Sequence, residues 1–257
     1  MCYDISFTVN MKKLSDYFPE LLYNGQLDFD FSPVHVVGHS YGGHPAIFIN
    51  KEFNLPECRL MEWGIIPFYI KDEKAFARQR ASMLNIRSER ILDDKSSYWY
   101  KIRNRRCLVP VTGIYEHREI SGWKKKVPYY VGVKDQPVIF LPGLYSVTEL
   151  PDTETGEMIK VYTQAIITRK ANSIMEQIHN GGDNAGRMPL FLPLDLSRKW
   201  LSEDLSEKEY RDILDYEMPS SKLEYKPVYT IRTPKPREDG KEKNEVYEWP
   251  ELPAICE

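Results

Sequence analysis

The chain has 257 residues, 42% of them hydrophobic and 28% charged, with a formal net charge of −3. That length buries a sizeable core in one domain or two, and the near balance of charge excludes a whole-molecule field for polyanions, so any nucleic-acid surface has to be a local patch. The cysteines, Cys2, Cys58, Cys107 and Cys256, are widely spaced without a Cys-x-x-Cys pair, and neither a signal peptide nor a long apolar run is present; this reads as a cytoplasmic protein with reduced thiols and no membrane contact.

Met1-Cys2 carries the first chemical signal. A small second residue permits removal of the initiator methionine, which would leave an α-amine and a thiol on adjacent carbons of Cys2. Such an amine, with a pKa of about 8, condenses with an aldehyde to an imine that the thiol closes into a thiazolidine. Cys2 equally suits the start of a first strand running to Val9. Met11 to Leu22 reads as a short helix. Phe29 to Asn50, with Gly38, Gly42, Gly43 and Pro45, reads as loops and short strands. His35, His39 and His44 fall there. The four-residue step from His35 to His39 would suit a zinc helix, but the glycines argue against one, and no metal is expected.

Met61-Glu62-Trp63-Gly64-Ile65-Ile66-Pro67 reads as a buried strand ending in a turn, followed by a helix from Lys71 to Met83. In Leu84 to Arg90, an extended backbone would send Asn85 and Arg87 to one side and Ile86 into the core. An amide beside a guanidinium suits a phosphate or sugar; the same residues also suit a solvated helix end. Arg103, Arg105 and Arg106 form the densest basic cluster before Lys124 to Lys126, and between them an apolar strand from Cys107 to Tyr115, broken by Pro110 and Gly113, ends in Glu116. A carboxylate at a strand end is a candidate acid or base, or an ordinary surface glutamate.

Strands over Pro128 to Val133 and Pro137 to Leu144 are expected to form a hairpin through Lys134-Asp135-Gln136, and a second hairpin joins Leu144 to Thr148 with Lys160 to Thr168. Many short strands at close spacing indicate an antiparallel, partly closed sheet. A helix capped by Asn172 packs Ile174 and Ile178 and stops at Gly181-Gly182, with His179 in its last turn, where the dipole favours a protonated ring. That suits a general acid or a plain C-terminal capping histidine. Arg187 opens the apolar run Met188 to Leu192. Asp195 to Tyr216 is helical, with a capping box from Ser206 to Glu209. The expected division is one domain over 1–232 and a charged, proline-rich tail over 233–257, mobile from Thr233 to Asn244 and docking back through Trp249 and Leu252.

Taken in order, Cys2, Trp63-Gly-Ile-Ile-Pro67, Asn85-Ile-Arg87-Ser-Glu89, Cys107 through Gly113-Ile-Tyr115-Glu116, Thr168 through Ala171-Asn172, and His179 with Arg187-Met188-Pro189 resemble the SRAP family, the SOS-response-associated peptidase-like proteins that include sensors of abasic sites in single-stranded DNA. The resemblance implies an α+β domain with a curved, barrel-like, mostly antiparallel sheet and flanking helices. It implies a DNA-repair role in the SOS response, in which the processed Cys2 crosslinks to the ring-opened aldehyde of an abasic site. Carried over by residue, Cys2 is the nucleophile, Asn85 orients the N-terminus or sugar, Glu116 handles protons and His179 assists ring opening. Arg87 and Arg187 hold phosphates, Trp63 or Pro67 lies against bases, and Arg105 adds to the DNA surface. The expected partner is single-stranded DNA bound by a monomer, nucleoid-associated when engaged, with no cofactor.

The sequence departs from the family pattern at three places. The family commonly has Gly-Arg after the cysteine where this chain has Tyr3-Asp4; Glu116 is followed by His117 rather than tryptophan; and Asn180 to Gly186 separate His179 from Arg187. Two other readings stay open. One is a cysteine peptidase, acting on its own Met1-Cys2 bond or on other proteins, with Cys2, His179 and Glu116 as its groups; an AP-lyase outcome differs only in how fast the thiol captures the imine. The other is a non-covalent single-strand binding module.

Overall fold

The computed structural model describes residues 2–24 and 27–256; Met1, whose removal is expected, and Glu257 lie outside the described residues. Its first strands are β1 (Asp4–Ser6), β2 (Leu22–Tyr23), β3 (Val36–Val37), β4 (Gly43–Asn50), β5 (Leu55–Trp63) and β6 (Asn85–Arg87). Then follow β7 (Arg106–Val111), β8 (Gly113–Arg118), β9 (Val127–Val133), β10 (Ile139–Pro151), β11 (Met158–Lys170), β12 (Arg187–Pro189) and β13 (Leu223–Pro227). The helices are α1 (Leu14–Tyr17), α2 (Glu73–Arg80), α3 (Glu89–Leu92), α4 (Tyr98–Lys101), α5 (Ser173–Ile178), α6 (Leu194–Leu201) and α7 (Glu207–Leu214). The class is α+β.

Strands β5, β4, β7, β10 and β11 pair in that order, and β11 returns to β5 in parallel through Thr163↔Glu62 and Gln164↔Trp63, which closes a barrel. Closure leaves those strands without free edges. A second, antiparallel sheet runs β13-β9-β8-β1-β3. One apolar cluster joins the barrel to α1, α6 and α7 through Phe140, Leu108, Trp200 and Tyr210. Another fills the space between barrel and second sheet with Ile5, Trp63, Ile114, Val131, Leu141, Ile166 and Met175, and Cys2 belongs to it. The site is therefore built on a seam between two sheets.

Several local expectations hold. β6 is extended, with Ile86 fully buried. The β10–β11 hairpin pairs Pro151 with Met158 at its tip and Gly143 with Ile166 at its base. Ser206 and Glu209 form a reciprocal capping box on α7. Met11 to Leu22 is less regular than expected, a 3-10 turn leading into the four-residue α1.

Two expectations fail for one reason. The run from Cys107 to Glu116 is two strands rather than one: the chain leaves the barrel after Val111 and enters the second sheet at Gly113. Likewise the turn at Lys134-Asp135-Gln136 exists, with Asp135 at φ 61°, but β9 pairs with β8 and β13 whereas β10 pairs with β7 and β11. Both are points where the backbone changes sheets; Gly113 and the turn at Asp135 mark a break in the chain, but both flanks are apolar, so the pattern does not show that the sheet changes there.

The segment from Thr233 to Asn244 is built around buried Arg237, whose guanidinium binds Asp239 and the carbonyls of Glu242, Glu245 and Val246. Beyond it, the Trp249 indole N–H donates to Val228 O (3.1 Å), and Arg118 donates to the carbonyls of Pro253 and Ala254. No helix of the described residues is long and apolar enough to cross a membrane.

Candidate active site

Asp4 on β1 and Glu116 on β8 stand on strands paired through Ile5↔Ile114, and both reach the same cleft. They line one wall of this cleft of about 520 Å3, with Tyr3, His179, Asn184 and Arg232 around it. Cys2 lies beneath, fully buried. Its thiol points to Asp4 O (3.7 Å), and Asn85 Nδ2 donates to Cys2 O (2.8 Å), so the amide on β6 fixes the orientation of Cys2. Asn85 Oδ1 and Glu116 Oε1 are buried and have no hydrogen-bond partner among the described residues. Buried polar atoms ordinarily find partners, and leaving one without costs about 1–3 kcal/mol.

Burial pushes the Glu116 carboxyl up to about 8, with the Asp4 charge adding to the effect. It is thus largely protonated at neutral pH. The Cys2 thiol is raised well above its usual value, first by burial and then by Glu116 and Asp4, so the thiolate is disfavoured until a base takes its proton. His179 ends α5, whose first turn is capped by Asn172 accepting from Met175 N (3.0 Å).

The His179 imidazole departs from the expected protonated form: burial pulls its pKa down to about 4. Desolvation here outweighs a six-residue helix dipole. A neutral ring that donates Nδ1–H to Arg187 O (2.7 Å) presents its Nε2 lone pair to Glu116 Oε2, 3.8 Å away. The Asn180 to Gly186 insertion does not displace the site. Gly186 N returns to His179 O (2.9 Å), and Asn180 exchanges hydrogen bonds with the Glu119 backbone (2.7 and 2.9 Å), so the extra residues bulge into a wall of the cleft.

The expected DNA contacts distribute unevenly. Arg87 is exposed and, among the described residues, hydrogen-bonds Asn184 Oδ1 (3.5 Å). Arg187 is engaged inside the fold, bidentate to Glu89 (2.5 and 3.0 Å) and donating to Thr168 O (2.8 Å). Trp63 has no exposed ring face and donates its indole N–H to Leu84 O (2.9 Å); it and buried Pro67 are core residues with no surface to offer a base. The aromatic surface comes one step later. Phe68 and Tyr69 are 44% and 56% exposed, pack edge to face 5.6 Å apart, and carry the Arg105 guanidinium 5.7 Å over the Phe68 ring. Their sequence signal was two adjacent aromatics directly after Pro67 and before Lys71-Asp72. Arg106, by contrast, is a structural residue donating to the Trp200 and Ser202 carbonyls.

Asp4 is occupied by partners absent from any local reading: His35 Nε2 (2.7 Å) and the Arg232 fork (2.9 and 2.5 Å). All four cysteines are free thiols, Cys256 alone being exposed. Among the described residues no group of three or more His, Cys, Asp or Glu side chains is placed to hold a metal ion.

The SOS response associated peptidase (SRAP) family model matches residues 1–231. The chain belongs to the SRAP family. Its curated relatives include the abasic site processing protein YoqW of Bacillus subtilis, 31% identical over 150 residues that make up 58% of this chain and 59% of that protein. Another is the abasic site processing protein HMCES of Gallus gallus, 26% identical over 190 residues, 66% of this chain and 52% of that one. The matched stretch thus spans about three fifths or less of those relatives' length. Among solved structures, a protein from Bacteroides thetaiotaomicron is 28% identical with a TM-score of 0.74 over 95% of this chain and 97% of its own. Within this SRAP domain, the barrel seam supplies both the buried cysteine and the two acceptors around it that have no partner among the described residues.

Proposed function

We propose that this SRAP protein binds abasic sites in single-stranded DNA and captures them covalently through Cys2 once the preceding residue is removed. The observation that carries the reading is the pair of buried acceptors without partners among the described residues, Asn85 Oδ1 and Glu116 Oε1, around a cysteine whose carbonyl is already held. A freed α-amine at Cys2 is the donor such acceptors suit.

The chemistry follows from the charge states. His179 Nε2 takes the anomeric hydroxyl proton and passes it to the ring oxygen as the bond between that oxygen and the anomeric carbon breaks, opening the closed sugar to its aldehyde. The Cys2 amine attacks the aldehyde carbon, and its proton passes to the oxygen to give a carbinolamine. Glu116, protonated near neutral pH, donates to the leaving hydroxyl; water departs and a protonated imine remains. The Cys2 sulfur then attacks the imine carbon while its thiol proton returns to the Glu116 carboxylate. Aldehyde and aminothiol have become thiazolidine and water. A group with a pKa near the working pH serves as both donor and acceptor. Phe68 and Tyr69 offer flat surface for stacking bases, with Arg105 beside them, and exposed Arg87 suits a phosphate.

The test is a denaturing gel of processed protein with single-stranded DNA carrying one abasic site, beside undamaged DNA and Cys2→Ala. The expected result is a shifted band that survives boiling, needs the lesion and vanishes with Cys2→Ala. No such band from correctly processed protein would sink the covalent reading.

A further inference from the structure

Residue 232 is the first beyond the matched family domain. Its side chain is 50% exposed on the cleft, whereas that of Asp4 beneath it is 3% exposed. The Arg232 Nε–H and one Nη2–H are taken by the two Asp4 oxygens. A guanidinium has five N–H donors, so the remaining ones have no partner among the described residues and stand at the cleft opening. The backbone around Arg232 is held on both sides. Val228 N donates to Pro128 O (2.9 Å) and Val228 bridges to Val246, while the buried Arg237 network closes the loop that follows.

We infer that Arg232 is a phosphate-contacting residue of the cleft, supplied by the segment after the SRAP domain and aimed by Asp4, an assignment that rests on the single-stranded DNA reading above. An ordinary surface ion pair pairs two solvated side chains and contributes little. Here the carboxylate is buried and further fixed by His35 (2.7 Å), so the fork has one orientation with its free edge outward, the arrangement that suits a bidentate oxyanion. Lys125 and Lys126 line the same cleft; Lys126 is tied to Glu119 (2.6 Å). Arg187, another guanidinium beside the site, spends its fork on Glu89 with its side chain only 11% exposed. Of these two, Arg232 is the one presented to a ligand. Asp4 thereby anchors a cation, and a carboxylate that would repel DNA becomes the part that positions its contact.

The experiment is a salt titration of binding to a labelled single strand carrying a tetrahydrofuran abasic analogue, which has no aldehyde and keeps binding non-covalent. Arg232→Gln is expected to reduce the slope of log affinity against log salt by ~0.7, the increment for one single-strand phosphate contact, and to weaken binding about fivefold at 0.1 M salt. Arg232→Lys keeps the slope, and Lys235→Gln, an exposed tail lysine outside the cleft, changes nothing. A lowered melting temperature with an unchanged slope in Arg232→Gln would make the residue a structural anchor and overturn the assignment alone. Absence of salt-dependent binding by the unsubstituted protein would overturn the DNA reading and this assignment with it.

Discussion

Asp4 and Glu116 are neighbours on paired strands of one wall, 2% and 5% exposed, yet they hold opposite charge states. Burial pushes both carboxyls up. At Asp4 the hydrogen bonds from His35 and Arg232 outweigh it and leave the pKa below its usual value. At Glu116 no such donors are present among the described residues, burial prevails, and the ionised neighbour Asp4 pushes in the same direction. Equal burial therefore gives an anchor at one end of the wall and a proton donor at the other, and the difference lies in the partners.

The largest effect should come from removing the proton donor. Glu116→Gln keeps the shape and loses the titration, and the single-turnover crosslinking rate is expected to fall by about 10²–10⁴. The pH-rate profile of the unsubstituted protein should show a limb near 8, absent from the variant. A limb that persists in Glu116→Gln would assign it to another group.

The same residue makes a stability prediction of opposite sign. Glu116 has a folded pKa raised from 4.5 to about 8, so the folded state holds its proton more tightly than the unfolded one. Stability from this group is fully present below pH 4.5 and is lost as pH rises through about 8. Glu116→Gln should flatten that decline, with a gain relative to the unsubstituted protein on the order of 5 kcal/mol above pH 8 in urea unfolding. Equal curves at high pH would mean that Glu116 is not held neutral. Slower chemistry and better alkaline stability in one variant is the signature of a site that keeps a destabilising group for its reaction.

Much of this wall was legible in the sequence, and the reason for the rest is distance along the chain. Asn85 and Ile86 were placed correctly because a three-residue strand has only two faces. The Asn172 cap on α5 was local too. Glu116 was found as a carboxylate near a strand end, but its neutrality depends on packing between two sheets. The partner of Asp4 lies 228 positions away, and no pattern near Asp4 announces it. Trp63 was misplaced for a related reason: an aromatic in a strand-turn motif reads alike whether its ring faces solvent or the seam, and burial went to Trp63 while Phe68 and Tyr69 took the surface.

The coupling between the two carboxylates gives a smaller effect with a sign in each direction. Asp4 raises the Glu116 pKa and Arg232 lowers it. Asp4→Asn should therefore move the alkaline limb of the crosslinking profile to lower pH, and Arg232→Gln should move it higher. Shifts in the same direction would mean that the limb reports a change of structure rather than the charges on this wall.

The smallest effect is expected from His35. Its Nε2 lies 2.7 Å from Asp4 Oδ1, but the same oxygen also accepts from Arg232 Nε at 2.9 Å, and Oδ2 is held by Arg232 alone. Removing His35 thus leaves neither oxygen of the buried carboxylate without a donor. His35→Ala should cost about 1 kcal/mol, the net value of one hydrogen bond, read from the urea midpoint at unchanged slope, and the limb near 8 should stay in place. A loss of several kcal/mol would show that Asp4 is held ionised chiefly by the histidine. In that case Arg232 would be the replaceable partner, and the contrast between the two carboxylates would rest on His35 rather than on the segment after the SRAP domain.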